Sequence, residues 1–547
     1  MSKKFYPWLI LISALFFFVP FLGSVHLFDW DEINFAESAR EMIVTHNYAQ
    51  VQIDFHPFWE KPPLFFWAQV LSMKLFGINE FAARLPNAII GILTLLIFYF
   101  LGKKLYDEKF GLIWSLAFLG SFLPHIYFKS GIIDPFFNFF IFLGIVFLAK
   151  SISKTGESKG FKYALFAGIS IGLATLTKGP VGLLIAGISV LVYWMTLKFK
   201  NISNWKNVLI FTISCLLISS LWFGLEMINN GFWFIKEFIK YQVDLFLNPV
   251  AGHSGPIYYH FLVVFLGCFP ISVLALPVLF RKNANVNNEE KYFFKWMLIL
   301  FWVVMILFTI VTTKIVHYSS LAYYPLSYLA AYFLYELVNK RMVLKKYLIW
   351  MLLLTGTVFS FFLIGLPLVA GYKNLIIPYI KDDFAVACLN SAVTWTGYEF
   401  LIGTAYLILL FIAIMMMKRK YIFRGIIILF YATAFCIFFY MKAVVPKIEG
   451  YSQAPAINFY KSISGQDVYV TTIGFYSYAP YFYFQKMPGG NSESSNKEWL
   501  LNGDIDKPVY LVAKATNRSF FDKHPDCNLI KQEGGFLVYY RMPHSTK

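Results

Sequence analysis

The sequence predicts an all-α polytopic membrane protein that carries a small α/β domain at its C-terminal end. Three observations point there. Hydrophobic residues make up 58% of the 547 and charged residues only 14%, where soluble domains average about 25% charged. Mean hydropathy is +0.60, and apolar runs long enough to cross a bilayer, roughly 20 residues each, recur along positions 1–441. From about 442 to 547 the chain turns to short strand-like runs between polar, Gly- and Pro-containing turns.

The candidate spans are 6–27, 84–102, 111–127, 133–149, 162–177, 181–197, 207–227, 257–280, 296–313, 317–337, 347–370, 399–417 and 424–441. Lys3 and Lys4 before the first apolar run resemble a signal peptide. No small-residue cleavage site follows, so the run is expected to stay as a span. Alternate loops then collect the basic residues: Lys103, Lys104 and Lys109; Lys150, Lys154, Lys159 and Lys162; Lys198, Lys200 and Lys206. The series continues with Arg281, Lys282, Lys291 and Lys295; Lys340, Arg341, Lys345 and Lys346; Lys418, Arg419, Lys420 and Arg424. Positive-inside asymmetry puts these loops and the N-terminus in the cytoplasm and the C-terminus outside. The +17 net charge is therefore a topology signal, and nucleic acid is not an expected partner. Five cysteines without CxxC spacing are expected as thiols, with a Cys388–Cys527 bridge on the outer side as the alternative.

The outer loops are the unusual ones. The first, 28–83, is rich in aromatics and acids. Phe35, Ala39 and Met42 recur at helical spacing across 33–45, which suits a helix lying on the membrane. A second interfacial helix is expected over 63–76, started by Pro62 and Pro63. The outer loop 228–256 carries Lys236, Glu237, Lys240, Asp244 and His253. Within 442–547, strands are expected at 467–472, 509–513 and 535–540.

Bilayer-edge carboxylates are unusual unless paired or in use, and four acids crowd the end of the first span. Asp31 and Glu32 fit either a general base, or an acceptor-orienting carboxylate, or a helix N-terminal pair favoured by the dipole. Asp29 and Glu37 are expected as helix-end or solvated charges. Lys61, held between Glu60 and Pro62-Pro63, suits a phosphate partner or a snorkelling interfacial lysine. Asp134 lies between two apolar segments, where an unpaired carboxylate is expensive; helix capping before Pro135 is the alternative. Lys178 before Gly179-Pro180, Lys314 with His317 and Tyr318, and His253 mark further outer edges. His253 with Glu60 or His56 offers a metal site, although a lone loop histidine is usually no ligand. All these groups fall on one side, and acids alternate with lysines. Such a set suits an acceptor held beside a phosphate at the lipid surface.

Read in order, the motifs resemble a known family. They are Asp31-Glu32 followed by Phe-Ala-Glu-Ser-Ala-Arg-Glu-Met, Glu60-Lys-Pro-Pro-Leu, Ile133-Asp-Pro, Leu176-Thr-Lys-Gly-Pro, Gly252-His-Ser-Gly-Pro and Lys314-Ile-Val-His-Tyr. In that order the chain resembles the GT-C glycosyltransferases of the protein O-mannosyltransferase type, most of all the bacterial aminoarabinose (lipid A) transferase branch. The resemblance implies inverting sugar transfer from an undecaprenyl-phosphate donor, at the outer face of the inner membrane, to lipid A or another envelope glycolipid. It implies Asp31, Glu32 and Asp134 as catalytic acids, and Lys61, Lys178 and Lys240 on the donor phosphate. Tyr48, Glu60, His253, Lys314, His317 and Tyr318 would line the substrate cavity. No cofactor or metal is required by this scheme. Residues 241–246 lack the arginine that related enzymes place near the phosphate, and Lys240 is the substitute. A protein O-glycosyltransferase is the rival enzyme. A transporter or flippase would instead place charges near mid-membrane and show paired repeats; here the charges sit at span ends and no repeat appears.

Overall fold

The computed structural model of the protein describes residues 5–155, 157–248, 254–281 and 288–543. Among the described residues, eight helices are long and apolar enough to cross a membrane: Glu80–Leu105, Asp134–Ser153, Lys159–Lys178, Trp205–Asn230, Glu289–Ile310, Lys346–Gly371, Phe400–Lys418 and Ile422–Ala443. The other expected spans are helical but shorter or broken. Tyr6–Phe18, Val181–Thr196 and Tyr323–Val338 stop short of full span length, and Glu108–Leu119 gives way to Phe122–Tyr127. Surrounding helices shield Tyr323–Val338, in which nearly every residue is buried. The expected continuous span 257–280 is a correction. It folds as Tyr259–Gly267 and Ile271–Leu279, bent by 118°, because Pro270 at the break cannot continue the backbone ladder.

Close helix contacts rest on small residues, as membrane interfaces favour. A Cβ on Gly111 would lie 2.4 Å from the Tyr99 carbonyl oxygen, and one on Gly102 would lie 2.9 Å from the Gly111 Cα. Around this seam Phe98 stacks on Trp114 at 4.4 Å between centroids. Trp205–Asn230 and Lys346–Gly371 bury only 17% and 28% of their apolar windows against protein, which leaves most of their surface for lipid.

The first outer loop holds helices Asp31–Thr45 and Leu64–Phe76 joined through a small hairpin, β1 (Gln52–Ile53) and β2 (His56–Pro57). The expectation that 33–45 lies on the membrane with one face open is corrected. Every residue from Glu32 to Met42 is buried, because Leu64–Phe76 and the C-terminal helix Ala479–Phe484 cover it. Its polar face is matched inside the protein. Glu37, expected as a solvated charge, pairs with Arg40 at 2.7 Å, both fully buried. The Arg40 Nη2 also donates to the Lys486 carbonyl at 2.6 Å. Glu41 accepts the Asp54 and Phe55 N–H groups at 2.7 and 2.8 Å. Lys486 forms an ion pair with Asp54. This face is a polar dock for the C-terminal region.

That region carries a four-stranded sheet in the order β3-β4-β6-β5. β3 (Tyr469–Ile473) runs parallel to β4 (Val509–Lys514), and β6 (Phe536–Arg541) is antiparallel to both β4 and β5 (Asn528–Glu533). The three expected strands are present. β5 was not foreseen because all six of its residues are exposed, so it lacks the apolar alternation that marks a strand. All five cysteines are free thiols.

Gly111→Ala should lower thermal stability in detergent by about 1–3 kcal/mol through overpacking, read from the unfolding midpoint, with Gly224→Ala on an open helix face as the neutral control. Burial, with the Glu37 charge beside it, pushes the Glu41 carboxyl up to about 9. A raised folded-state value means the stabilisation is complete below the ordinary carboxylate range and is lost as pH rises through about 9. Thermal unfolding between pH 7 and 10 should show that loss. Glu41→Gln should be weaker at pH 7, because its amide meets the Phe55 N–H, but should lack this part of the alkaline limb.

Candidate functional site

The first outer loop, the ends of several spans and Tyr478 of the C-terminal region line a cavity of about 720 Å³. Asp31 reaches it from the first turn of its helix, Lys61 from the Pro-rich turn, and Asp134 from the start of its span. Lys178 comes from the last turn of the preceding-loop partner helix Ser158–Lys178, and His317 and Tyr318 from a 3-10 turn, Val316–Ala322. Residues distant in sequence and assigned to alternate loops thus share one chamber, as their common side of the membrane requires.

One buried ion pair sets the chamber's acids. Glu32 receives the Arg84 Nε and Nη2 at 3.0 and 2.7 Å. It also accepts the backbone N–H groups of Phe28, at 2.9 Å, and Gly131, at 2.5 Å. Arg84 uses its remaining donors on the carbonyls of Leu22, Val25 and His26. Burial raises the Glu32 carboxyl, but Arg84 and the two N–H groups outweigh it and hold it below the usual range. The expectation of Glu32 as a catalytic acid is corrected: its carboxylate is fully engaged. It ties the turn before Asp31 to the strand-like approach to Asp134.

Asp31 keeps a carboxylate 38% exposed. The His317 Nε2 lies 3.6 Å from Asp31 Oδ2 and 3.7 Å from Asp134 Oδ2. Asp134 gives its other oxygen to Lys178 Nζ at 2.6 Å, and its Oδ2 is buried without a hydrogen-bond partner. Lys178 also sits 5.3 Å above the Tyr318 ring. Across the chamber, Tyr241 donates to Glu60 at 2.5 Å, and Lys61 lies 5.3 Å from the Tyr241 ring centroid. The nearest Glu60 oxygen is 3.8 Å from Lys61 Nζ, too long for a hydrogen bond. Burial lowers the Lys61 ammonium below its ordinary value, and an anion beside it would draw that value back up.

Three further expectations are corrected. Lys314 does not enter the chamber. Its Nζ caps the end of helix Asn288–Ile310 through the carbonyls of Phe308, Thr309 and Val311 at 2.6–3.1 Å. Lys240 is exposed and stands outside the lining, where its helix neighbours Tyr241 and Gln242 face inward. Tyr48 lies outside the lining too, under the Lys74 ammonium at 4.3 Å. Glu60, His317 and Tyr318 do line the cavity. His253 lies outside the described residues. Among the described residues no group of three His, Cys, Asp or Glu could hold a metal ion.

Sequence reasoning missed Trp30, Tyr241, Gln242 and Tyr478, all in the lining. For Tyr241 a signal existed. Phe234 and Phe238 are the buried stripe of helix Trp233–Leu247, and the same helical period leads to 241, 242 and 245. Tyr478 arrives from the C-terminal region, where it packs on Trp30 at 5.1 Å between ring centroids, and nothing local marks it.

Comparison with known proteins places this architecture. The family described as dolichyl-phosphate-mannose-protein mannosyltransferase matches residues 60–223. An undecaprenyl phosphate-alpha-4-amino-4-deoxy-L-arabinose arabinosyl transferase from Wigglesworthia glossinidia brevipalpis is 28% identical over 356 residues, 62% of this chain and 61% of that relative. A namesake from Edwardsiella ictaluri is 25% identical over 62% of this chain and 61% of its own. The chain thus spans about three fifths of the curated relatives it matches. ArnT from Cupriavidus metallidurans, solved with undecaprenyl phosphate, superposes with a TM-score of 0.76 at 17% identity, over 99% of this chain and 98% of that one. The apo oligosaccharyltransferase of Archaeoglobus fulgidus gives 0.51 at 13% identity, over 94% and 70%. The chain is a multi-pass membrane protein with the GT-C fold, similar to ArnT.

Arg84→Met and Glu32→Gln should each destabilise the protein by about 3–5 kcal/mol, the range for leaving one buried partner uncompensated. The double variant should lose clearly less than the sum of the two, read by thermal unfolding in one detergent.

Proposed function

On the GT-C fold it shares with ArnT, we propose that this chain is an inverting glycosyltransferase. It moves a sugar from undecaprenyl phosphate to lipid A or another envelope glycolipid, at the outer face of the bacterial inner membrane. The observation that carries this is the chamber's charge set: the partly exposed Asp31 carboxylate, the Asp134–Lys178 pair and Lys61 line one cavity at the ends of membrane-spanning helices. A lipid-linked phosphate enters from the bilayer and meets the lysines. The sugar then lies toward Asp31.

In this scheme the acceptor oxygen attacks the anomeric carbon from the face opposite the phosphate. Asp31 takes the proton of a hydroxyl acceptor, or orients a phosphate acceptor that is already ionised. The bond from the anomeric carbon to the phosphate oxygen breaks, and both electrons stay on the phosphate. Lys61 faces that developing charge, and Lys178 shares its own with Asp134 and the leaving group. Glu60 and Tyr241 hold Lys61 in place by contact rather than by a direct hydrogen bond. The protein O-mannosyltransferase match over 60–223 favours a second acceptor class, Ser or Thr of secreted proteins.

Mass spectrometry of lipid A and of periplasmic glycopeptides, from cells with and without the gene, separates the two acceptors. A sugar increment on lipid A that needs the gene is the expected result. The same increment on glycopeptides alone transfers the assignment to protein acceptors, and none on either overturns the proposal. Asp31→Asn should cut transfer by roughly 10²–10⁴-fold, and Lys61→Ala should weaken donor use; full activity in either variant would remove that residue's role.

A further inference from the structure

The His317 imidazole stands between the two chamber aspartates, with one nitrogen 3.6 Å from Asp31 and 3.7 Å from Asp134. A bare nitrogen lone pair aimed at two carboxylates would be repelled, so Nε2 carries a hydrogen in this arrangement, in the neutral tautomer as in the imidazolium. Lys178 compensates Asp134 through Oδ1 at 2.6 Å. It leaves Oδ2 buried without a hydrogen-bond partner and makes no contact of that kind with Asp31.

The backbone of His317 is fixed to the Asp134 helix. Its carbonyl accepts the Ser320 hydroxyl. The same hydroxyl meets the Tyr127 hydroxyl and the Asn138 amide at 2.8 Å each. Asn138 is one turn beyond Asp134 on that helix. The imidazole is thus held against Asp134 by covalent and hydrogen-bonded structure, while Asp31 arrives from a different part of the chain. The charged and titratable groups around it are Asp31 from the first loop, Asp134 and Lys178 from the two span ends, Lys61 from the Pro-rich turn, and Tyr318 beside it. His260, bonded to Ser319 at 3.1 Å, stands behind it.

We propose that His317 is a positioning residue: it bridges Asp31 and Asp134 at ion-pair distance, with Nε2 3.6 and 3.7 Å from their carboxylates, and sets the direction in which the Asp31 carboxylate points. The proposal rests on Asp31 acting in sugar transfer, but the bridge itself can be tested without turnover. The full-length protein, labelled with ¹⁵N-histidine in nanodiscs, is titrated by NMR, with the His317 signal identified by its loss in His317→Gln. Asp31→Asn and Asp134→Asn should each move the His317 titration to lower pH, because each removes a negative charge that favours the imidazolium. A His317 titration unmoved in both variants overturns the bridge, whatever the enzyme's substrate proves to be. In the transfer assay, His317→Gln should shift the acid limb of the pH–rate profile to higher pH, since Asp31 then faces Asp134 without the imidazole between. A uniform loss at all pH values, with the limb in place, would assign His317 a packing role and overturn the proposal. Equal unfolding midpoints for the variants and the parent protein keep folding out of the comparison.

Discussion

The pairing of Arg84 with Glu32 organises the working end of this molecule. One guanidinium binds the last carbonyls of the first apolar segment, at Leu22, Val25 and His26. It also holds one carboxylate, which in turn holds the N–H groups of Phe28 and Gly131. Two stretches of backbone far apart in sequence, 22–28 and the turn at Gly131, meet at this pair, and each leads within a few residues to a chamber acid. A buried ion pair is weak evidence for net stability, but its geometric effect is definite: Asp31 and Asp134 cannot drift apart while it stands.

The chamber has a division of labour that residue type alone does not announce. Lysines serve two ends. Lys314, like Lys129, whose Nζ takes the carbonyls of Phe17, Phe18 and Pro20, closes a helix end with its ammonium. Lys61 and Lys178 present theirs to the cavity. Acids divide the same way, with Glu32 locked and Asp31 left accessible. In a low-dielectric setting an unpaired charge is expensive, and Lys178 accordingly keeps Asp134 as its partner while Lys61 keeps Glu60 within 3.8 Å.

Much of this was legible in the sequence. Hydropathy and the alternation of lysine-rich loops gave the helical bundle and the common side of the site residues. The motif order gave Asp31, Lys61, Asp134, Lys178 and His317. What the sequence could not give was the partner of each charge. Glu32 beside Asp31 looks equivalent to it until Arg84, 52 positions away, is seen to claim it. Lys240 looked better than Tyr241 because a charge was sought, while the helix phase that turns 241 inward was the sounder guide. The 33–45 helix reads as amphipathic and hence interfacial; its polar side is instead covered by the C-terminal region, a docking that local pattern does not foresee. β5 escaped because an exposed edge strand has no apolar face to betray it.

The polar dock on the first-loop helix has a consequence for how the protein is made. Arg40 and its partner carbonyl at Lys486 are 446 positions apart. At synthesis rates of roughly 5–20 residues per second, the loop waits about 20–90 s after emerging before its counterpart exists. During that interval Arg40 lacks its Lys486 partner, and the chamber lacks the Tyr478 side of its wall. The closed chamber is therefore completed last: a ribosome that stops short of the C-terminal region leaves a bundle in the membrane whose cavity lacks its Tyr478 wall.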